Sequence, residues 1–400
     1  MAGMLEGVRV VSMGQVVVVP AASSELADWG AEVIKLESLI GEQHRGMRRA
    51  AGTETGEINY VMQLLNRNKK GLAINLKTPE GREAVHKLIK TSDVFMYNYE
   101  YASLKEFELD YDTLKEINPR LIHASITGYG TKGPDKDERG YDFAAGWARS
   151  GMMHMIGEPG SMPVPQRPGM IDSMTGAHLD AAICAALYRR EKTGVGEEIE
   201  ISLYHAAVWM LAMDVQAGLQ GNESMPYVHS KPQNPLWNQY RTKDDRWFWM
   251  AMLQSVTNWP NFCLAIGRPE LENDPKYATM EARAENGPEL VSIIDEIIGS
   301  KTMEEWIPIF KKHNIIYGKV QKPIEVATDP QALANDFFGE VEHPGAGKIK
   351  LVNTPVNFRN HPRELYAPCP ELGQHTEEIL LELGYTWEDI AGMKEKGVIL

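Results

Sequence analysis

The stretch GVRVVSMGQVVVVPAASSELADWGAEVIKLE, Gly7 to Glu37, decides the fold. VRVVSM (Val8 to Met13) is a short β-branched, apolar run, the composition of a strand buried on both faces. AASSELADWG follows as a short helix closed by Gly30, and EVIKLE (Glu32 to Glu37) returns to strand composition. The alternation continues: GLAINL (Gly71 to Leu76) is a strand, KTPEGREAVHKLIKTS a helix opened by Thr78 and Pro79, and DVFMYNY and LIHASITGYG two more strands. Strand-helix-strand repetition of this length predicts a parallel α/β sheet with Rossmann-like topology. In such a sheet ligands gather at the carboxyl ends of the strands, where helix N-termini present free N–H groups. Val17 to Pro20, Asn98 and the loop from Gly128 to Gly140 fall there. No GxGxxG fingerprint follows the first strand, which disfavours a dinucleotide dehydrogenase.

Further along, RPGMIDSMTGAHLDAAICAALYRR (Arg167 to Arg190) sets one carboxylate, Asp172, at the start of a helix rich in small residues. Asp is a favoured N-cap, so the residue type alone leaves two roles open, capping and chemistry. KTGVGEEIEISL then gives a turn and a strand, and YHAAVWMLAMDVQAGLQ a long amphipathic helix. From about Met225 the texture turns rich in Pro, Asn and aromatics, with a hairpin expected across Lys243 to Arg246, so a second domain starts here.

The 41 basic against 55 acidic residues, a net charge of −14, argue against a general binder of nucleic acid or anionic membrane. A local basic pocket for a phosphorylated molecule stays compatible with that balance. The N-terminal stretch lacks the charged start and long apolar core of a cleavable signal, and no apolar run reaches the roughly 18 residues of a membrane span. A cytoplasmic protein is expected. Cys184, Cys263 and Cys369 are far apart and odd in number, so neither a disulfide framework nor a CxxC metal site is expected. The Met-rich GMMHMIGEPGSMP (Gly151 to Pro163) suits a pocket wall or a core equally.

Taken in order, GVRVVSMGQVVVVP, GAEVIKLE, NRNKKGLAINLKTPEGRE, ITGYGTKGP, GYDF, IDSMTGAH, REKTGVGEEIEISLYHA and LGQHTEEILLELG resemble family III CoA-transferases of the formyl-CoA transferase and CaiB/BaiF type, over nearly the whole chain. The resemblance implies a Rossmann-like large domain built from both chain ends, a smaller α+β domain, and two subunits threaded into an interlocked homodimer. The corresponding division is 1–200 for the first part of the large domain, 201–224 for a linker helix, 225–325 for the small domain, and 326–400 for a linker and the return to the large domain. Asp172 matches the family's aspartate nucleophile. The implied reaction attacks a donor thioester, passes through an aspartyl anhydride and an aspartyl-CoA thioester, and hands CoA to an acceptor acid. CoA thioesters are then substrates, and no permanently bound cofactor is implied.

The CoA contacts carried over are Val17 and Val18 after the first strand, Ile74, Asn75 and Lys77 after the third, Asn98 and Tyr99 after the fourth, and Arg139 and Tyr141 near the pantetheine and acyl pocket. An ammonium at a helix start suits a phosphate, which favours Lys77; its other reading is a solvated surface lysine. His178, one turn into the helix, is read as a packing residue. The chain also departs from formyl-CoA transferase: Val17 replaces a glutamine, Ser38 and Glu106 replace arginines, and HSKPQNPLWNQY stands where a glycine-rich flap belongs. Lys35, Arg45, Arg48, Arg49 and Lys105 are candidates for the missing charge.

Within the family, GYGTKGPDKDERGYDFAAGWARSGMM and NPLWNQYRTKDDRWF look most like the subgroup of amino-acid-fermenting anaerobes that acts on 2-hydroxy acids and 2-enoyl-CoA partners, such as the leucine-degrading 2-hydroxyisocaproate and the phenyllactate CoA-transferases. An α-methylacyl-CoA racemase is the rival. It requires a histidine where this chain has Tyr141, and an ordinary phenol, with a pKa of about 10, is a poor base. A non-catalytic acyl-CoA-binding protein is the alternative from another class.

Overall fold

Six strands run parallel in one sheet: β1 Arg9–Met13, β2 Glu32–Glu37, β3 Lys69–Ala73, β4 Val94–Tyr97, β5 Ile122–Thr127 and β6 Glu197–Ser202. The computed structural model describes residues 3–50 and 52–400. The spatial order β3-β2-β1-β4-β5-β6 is that of a doubly wound Rossmann sheet. Side-chain alternation sends successive residues of the central strands to opposite faces, and both faces are covered, so β4 reads VFMY and β1 carries Val10 and Val11 side by side, whereas the edge strand β6 alternates Glu with Ile. Val10, Val33, Val94 and Met96 enter one core with Ala22 and Leu26 of helix α1 (Val18–Asp28) and Leu179 and Ile183 of helix α3 (Met170–Thr193). Their neighbours Val11, Ile34, Phe95 and Tyr97 enter a second core with Val85 and Leu88 of helix α2 (Pro79–Lys90). As expected from Thr78-Pro79, the Thr78 hydroxyl caps α2, accepting the Gly81 N–H at 3.2 Å.

β3 is an edge strand, and a distant part of the chain covers it. The N–H of Gly71 donates to His375 Nδ1 at 3.0 Å, that of Ala73 to Thr376 Oγ1 at 3.0 Å, and that of Asn75 to the Val398 carbonyl at 2.8 Å. One compact unit accordingly comprises the residues up to Met153, Pro165–Glu223 and Gln331–Leu400. It contains residues 203–219, where one long helix was expected. Two helices form instead, Leu203–Met210 and Ala212–Leu219, because Leu211 (φ −100°, ψ 23°) leaves helical geometry between them.

The other unit comprises His154–Val164 and Ser224–Pro330. Strands β7 Trp237–Arg241, β8 Trp247–Ala251 and β9 Tyr317–Lys319 form an antiparallel sheet in the order β9-β8-β7. Asp245, at φ 59°, turns the expected hairpin. Helices Ser255–Ala265, Gly287–Ile298 and Met303–Lys312 pack Trp259, Ile294, Trp306 and Phe310 with Phe248 in a separate core. No helix among the described residues is long and apolar enough to cross a membrane.

Candidate active site

The connection leaving β1 packs α1 into the first core, whereas the segment leaving β4 sends Leu104 and Leu114 into the second. Adjacent strands whose connections diverge in this way open a crevice at their carboxyl ends. Asn98, just past β4, grips the loop just past β1. Its Oδ1 accepts the Gln15 N–H at 2.9 Å, its Nδ2 donates to the Gln15 carbonyl at 3.0 Å, and Gln15 Nε2 donates to the Tyr99 hydroxyl at 2.6 Å. Val16 stands at φ 67°, a left-handed conformation that a β-branched residue rarely adopts, and Glu42 Oε2 accepts its N–H at 3.1 Å. The loop delivers Val17 and Val18 to the start of α1, which no side chain caps.

The start of α3 lies against the start of α1. A Cβ at Gly169 would sit 3.3 Å from Val17 Cγ1, and one at Gly176 would sit 3.2 Å from the Val18 carbonyl oxygen. Capping is not the role of Asp172. The N-cap is Gly169, at φ 82°, and Asp172 is the third residue of the helix, its side chain making no cap bond. Glycine takes that position because the backbone there is left-handed and closely approached. Asp172 is 7% exposed. Burial, reinforced by the neighbouring Asp142 carboxylate, pushes its carboxyl up to about 7. A helix N-terminus favours the ionised form of an acid, and desolvation outweighs it here.

Two residues were not singled out in the sequence: Asp142, whose carboxylate bears on Asp172, and Gln166, which bears on Asp142. Asp142 follows Tyr141 in GYDF and opens a π-helical turn, Asp142–Ala148. Its Oδ2 accepts the Gly169 N–H at 3.0 Å, and burial raises its own carboxyl. Gln166, in the extended stretch before Gly169, is 5% exposed. The one available signal was the GYDF motif itself, read for its tyrosine and not for its aspartate. Two further polar residues of the helix start are locally engaged: Thr175 Oγ1 donates to the Ile171 carbonyl at 2.8 Å, and His178 Nδ1 lies 2.9 Å from the Met174 carbonyl.

The expected CoA contacts all lie at or beyond the carboxyl ends of the strands, but in different states. Val17, Val18, Asn98 and Tyr99 meet around the Gln15 loop. Ile74 is buried in the second core, and Asn75 is tied by its N–H to Val398 and by its side chain to the Gly397 carbonyl at 3.4 Å. Lys77 is exposed, one residue before the Thr78 cap of α2. Arg139, its side chain 86% exposed, pairs with Glu100 at 2.9 Å, and Tyr141 is 62% exposed.

Of the candidates for the missing charge, Lys35 is buried and paired with Glu42 at 3.1 Å. Arg45 forks onto Glu37 at 2.8 and 2.6 Å, and Lys105 pairs with Asp110 at 3.1 Å. Neither Lys35 nor Arg45 can turn to a phosphate without abandoning a carboxylate. Arg49 pairs loosely with Glu54 at 3.6 Å. Arg48 is exposed. Met152 belongs to the first core.

The chain is similar to known proteins over nearly its whole length. The model of CoA-transferase family III matches residues 5–376. The chain is 36% identical over 400 residues to an (R)-2-hydroxy-4-methylpentanoate CoA-transferase of Clostridioides difficile, covering 99% of both chains. It is 34% identical over 402 residues to a cinnamoyl-CoA:phenyllactate CoA-transferase of Clostridium sporogenes, covering 99% of this chain and 98% of that one. A CAIB/BAIF family protein from Brucella suis superposes with a TM-score of 0.84 at 28% identity, covering 96% of this chain and 100% of that one. The chain belongs to CoA-transferase family III and is an enzyme of that class, acting on CoA thioesters.

Proposed function

We propose that the enzyme moves CoA from an acyl-CoA or 2-enoyl-CoA donor to a small 2-hydroxy acid, with (R)-2-hydroxyisocaproate, that is 2-hydroxy-4-methylpentanoate, as the preferred acceptor and Asp172 as the group that carries the acyl and CoA moieties. The carrying observation is Asp172 itself, a buried carboxyl with a raised pKa that caps nothing. A buried carboxylate without a structural task is the expected form of a nucleophile. The 2-hydroxy acid rests on the Clostridioides difficile relative, with phenyllactate as the alternative from the second.

In this reading an Asp172 oxygen attacks the donor thioester carbonyl, the C–S bond breaks, and CoA leaves as thiolate. The thiolate attacks the Asp172 carbonyl of the mixed anhydride, forms the aspartyl-CoA thioester and releases the donor acid as its carboxylate. The acceptor carboxylate then attacks that thioester, giving a second anhydride and the thiolate again. Attack of the thiolate on the acceptor's acyl carbonyl yields the new acyl-CoA and restores Asp172. Each step exchanges one activated acyl bond for another, so no nucleotide hydrolysis is required. Uncapped N–H groups at the start of α1 are suited to a developing oxyanion, and Val17, Val18, Ile74, Asn75, Lys77, Asn98, Tyr99, Arg139 and Tyr141 are the proposed CoA contacts. The reading includes an interlocked homodimer working in the cytoplasm.

The test is incubation with acyl-CoA donors and a panel of free acids, followed by mass spectrometry of the protein and of the CoA esters. A CoA or acyl adduct on Asp172, sensitive to hydroxylamine, is expected, with CoA exchange fastest to the 2-hydroxy acid. Exchange of the α-proton with deuterated water in the absence of any acceptor acid would identify a racemase instead.

A further inference from the structure

Gln166 stands three residues before Gly169 and six before Asp172. Its amide is buried, and neither Nε2 nor Oε1 completes a hydrogen bond of normal geometry among the described residues. The amide faces the Asp142 carboxyl loosely and favours that group's charged form, and Asp142 in turn bears on Asp172 and holds Gly169. All four residues belong to the larger unit. A primary amide buried with both donor and acceptor unsatisfied is unfavourable in the free protein, and a ligand that meets both relieves it.

The amide offers an acceptor and a donor side by side. An α-hydroxy carboxyl group presents the complement on adjacent carbons: an O–H that donates, and a carboxyl oxygen that accepts. A simple acyl or 2-enoyl group has the oxygen but lacks the O–H; it leaves Oε1 as it stands in the free protein, so a donor of that kind still reacts but gains nothing there, whereas a 2-hydroxy acid does. A site built around a substrate hydroxyl rejects the analogue lacking it far more strongly than an apolar pocket rejects a missing methylene. We propose that Gln166 is the specificity residue of this enzyme, its Oε1 accepting the 2-hydroxyl and its Nε2 donating to the carboxyl oxygen of the acid that reacts at Asp172. The assignment rests on the transfer chemistry proposed above.

The experiment compares 2-hydroxy-4-methylpentanoate with 4-methylpentanoate as acceptors for one CoA donor, in the wild type and in Gln166→Met, which keeps length and removes both polar atoms. The wild type is expected to favour the hydroxy acid at least 100-fold in kcat/KM. In Gln166→Met the hydroxy acid is expected to lose 100-fold or more and the deoxy acid no more than tenfold, so that their ratio falls at least tenfold. Gln166→Leu gives the same comparison should the methionine variant fail to fold. A wild type without preference, a ratio that persists in the variants, or an equal loss for both acids overturns the assignment. The donor-derived adduct on Asp172 is measured in the same samples. With an adduct present, an unchanged ratio removes Gln166 alone and leaves the transfer chemistry standing, whereas a wild type that forms no adduct removes both.

Discussion

Asp142 Oδ2 accepts the N–H of Gly169 at 3.0 Å, so one buried carboxylate holds the residue that starts α3 and also bears electrostatically on Asp172, three positions further on. One neighbour thereby touches both the position of the proposed nucleophile and, after burial, its reactivity. The pH profile separates the two effects.

Only the ionised Asp172 attacks a thioester, and its carboxyl is raised to about 7, first by burial and then by Asp142. Adduct formation from acyl-CoA should therefore fall about tenfold per pH unit below that value and level off above it. Asp142→Asn removes the like charge while keeping an acceptor for Gly169, and should move the midpoint downward. A profile flat from pH 5 to 8 would contradict the buried-nucleophile account.

Asp172→Asn should abolish adduct formation and, at alkaline pH, stabilise the fold. The folded carboxyl binds its proton more tightly than the unfolded one, so wild-type stability falls as pH rises from the ordinary carboxylate range to about 7. The deficit above that pH is at most about 4 kcal/mol. Denaturation midpoints should favour the variant at pH 8 and converge near pH 4. A variant less stable than the wild type at pH 8 would restore a structural role for Asp172.

Lys35 and Arg48 should behave in opposite ways. Lys35→Met leaves Glu42 buried without its cation and should cost about 3–5 kcal/mol of stability. Arg48→Ala and Lys77→Ala change exposed side chains and should shift stability by only about 0.5 kcal/mol. If either cation meets the phosphates of CoA, its loss raises KM for the thioester, and the effect shrinks at high salt. Thermal melts and steady-state kinetics at two ionic strengths check both.

Gly146→Ala places a methyl group 2.8 Å from Ile171 Cγ2, inside the π-helical turn that opens with Asp142. Ile171 is fully buried and β-branched, so it cannot swing aside. The expected cost is about 1–3 kcal/mol of stability, with a fall of tenfold or more in kcat because Asp172 is the next residue. Retention of full kcat would show that the helix start tolerates displacement.

The fold was legible because its signals are local. EVIKLE appears as β2 from Glu32 to Glu37, and Thr78-Pro79 opens α2 where the capping pattern puts it. Asp172 stood out because an acid at a helix start is conspicuous. Its true place, third in the helix behind a left-handed Gly169, depends on how closely α1 and α3 approach, which no local pattern encodes. The pairing of Lys35 with Glu42 and Arg45 with Glu37 is likewise tertiary, and it ties two of the five candidate cations to carboxylates. Asp142 and Gln166 were missed because their significance lies in burial beside another carboxyl.

The edge of β3 carries a further consequence. Ala73 finds its partner Thr376 only 303 positions later. A nascent polypeptide on the ribosome therefore presents an open strand edge for most of its synthesis, the geometry that invites stray pairing and aggregation. Recombinant yield should respond to chaperone supply and to slower translation, and chains cut before Thr376 should accumulate as insoluble material even though the helix that carries Asp172 is intact.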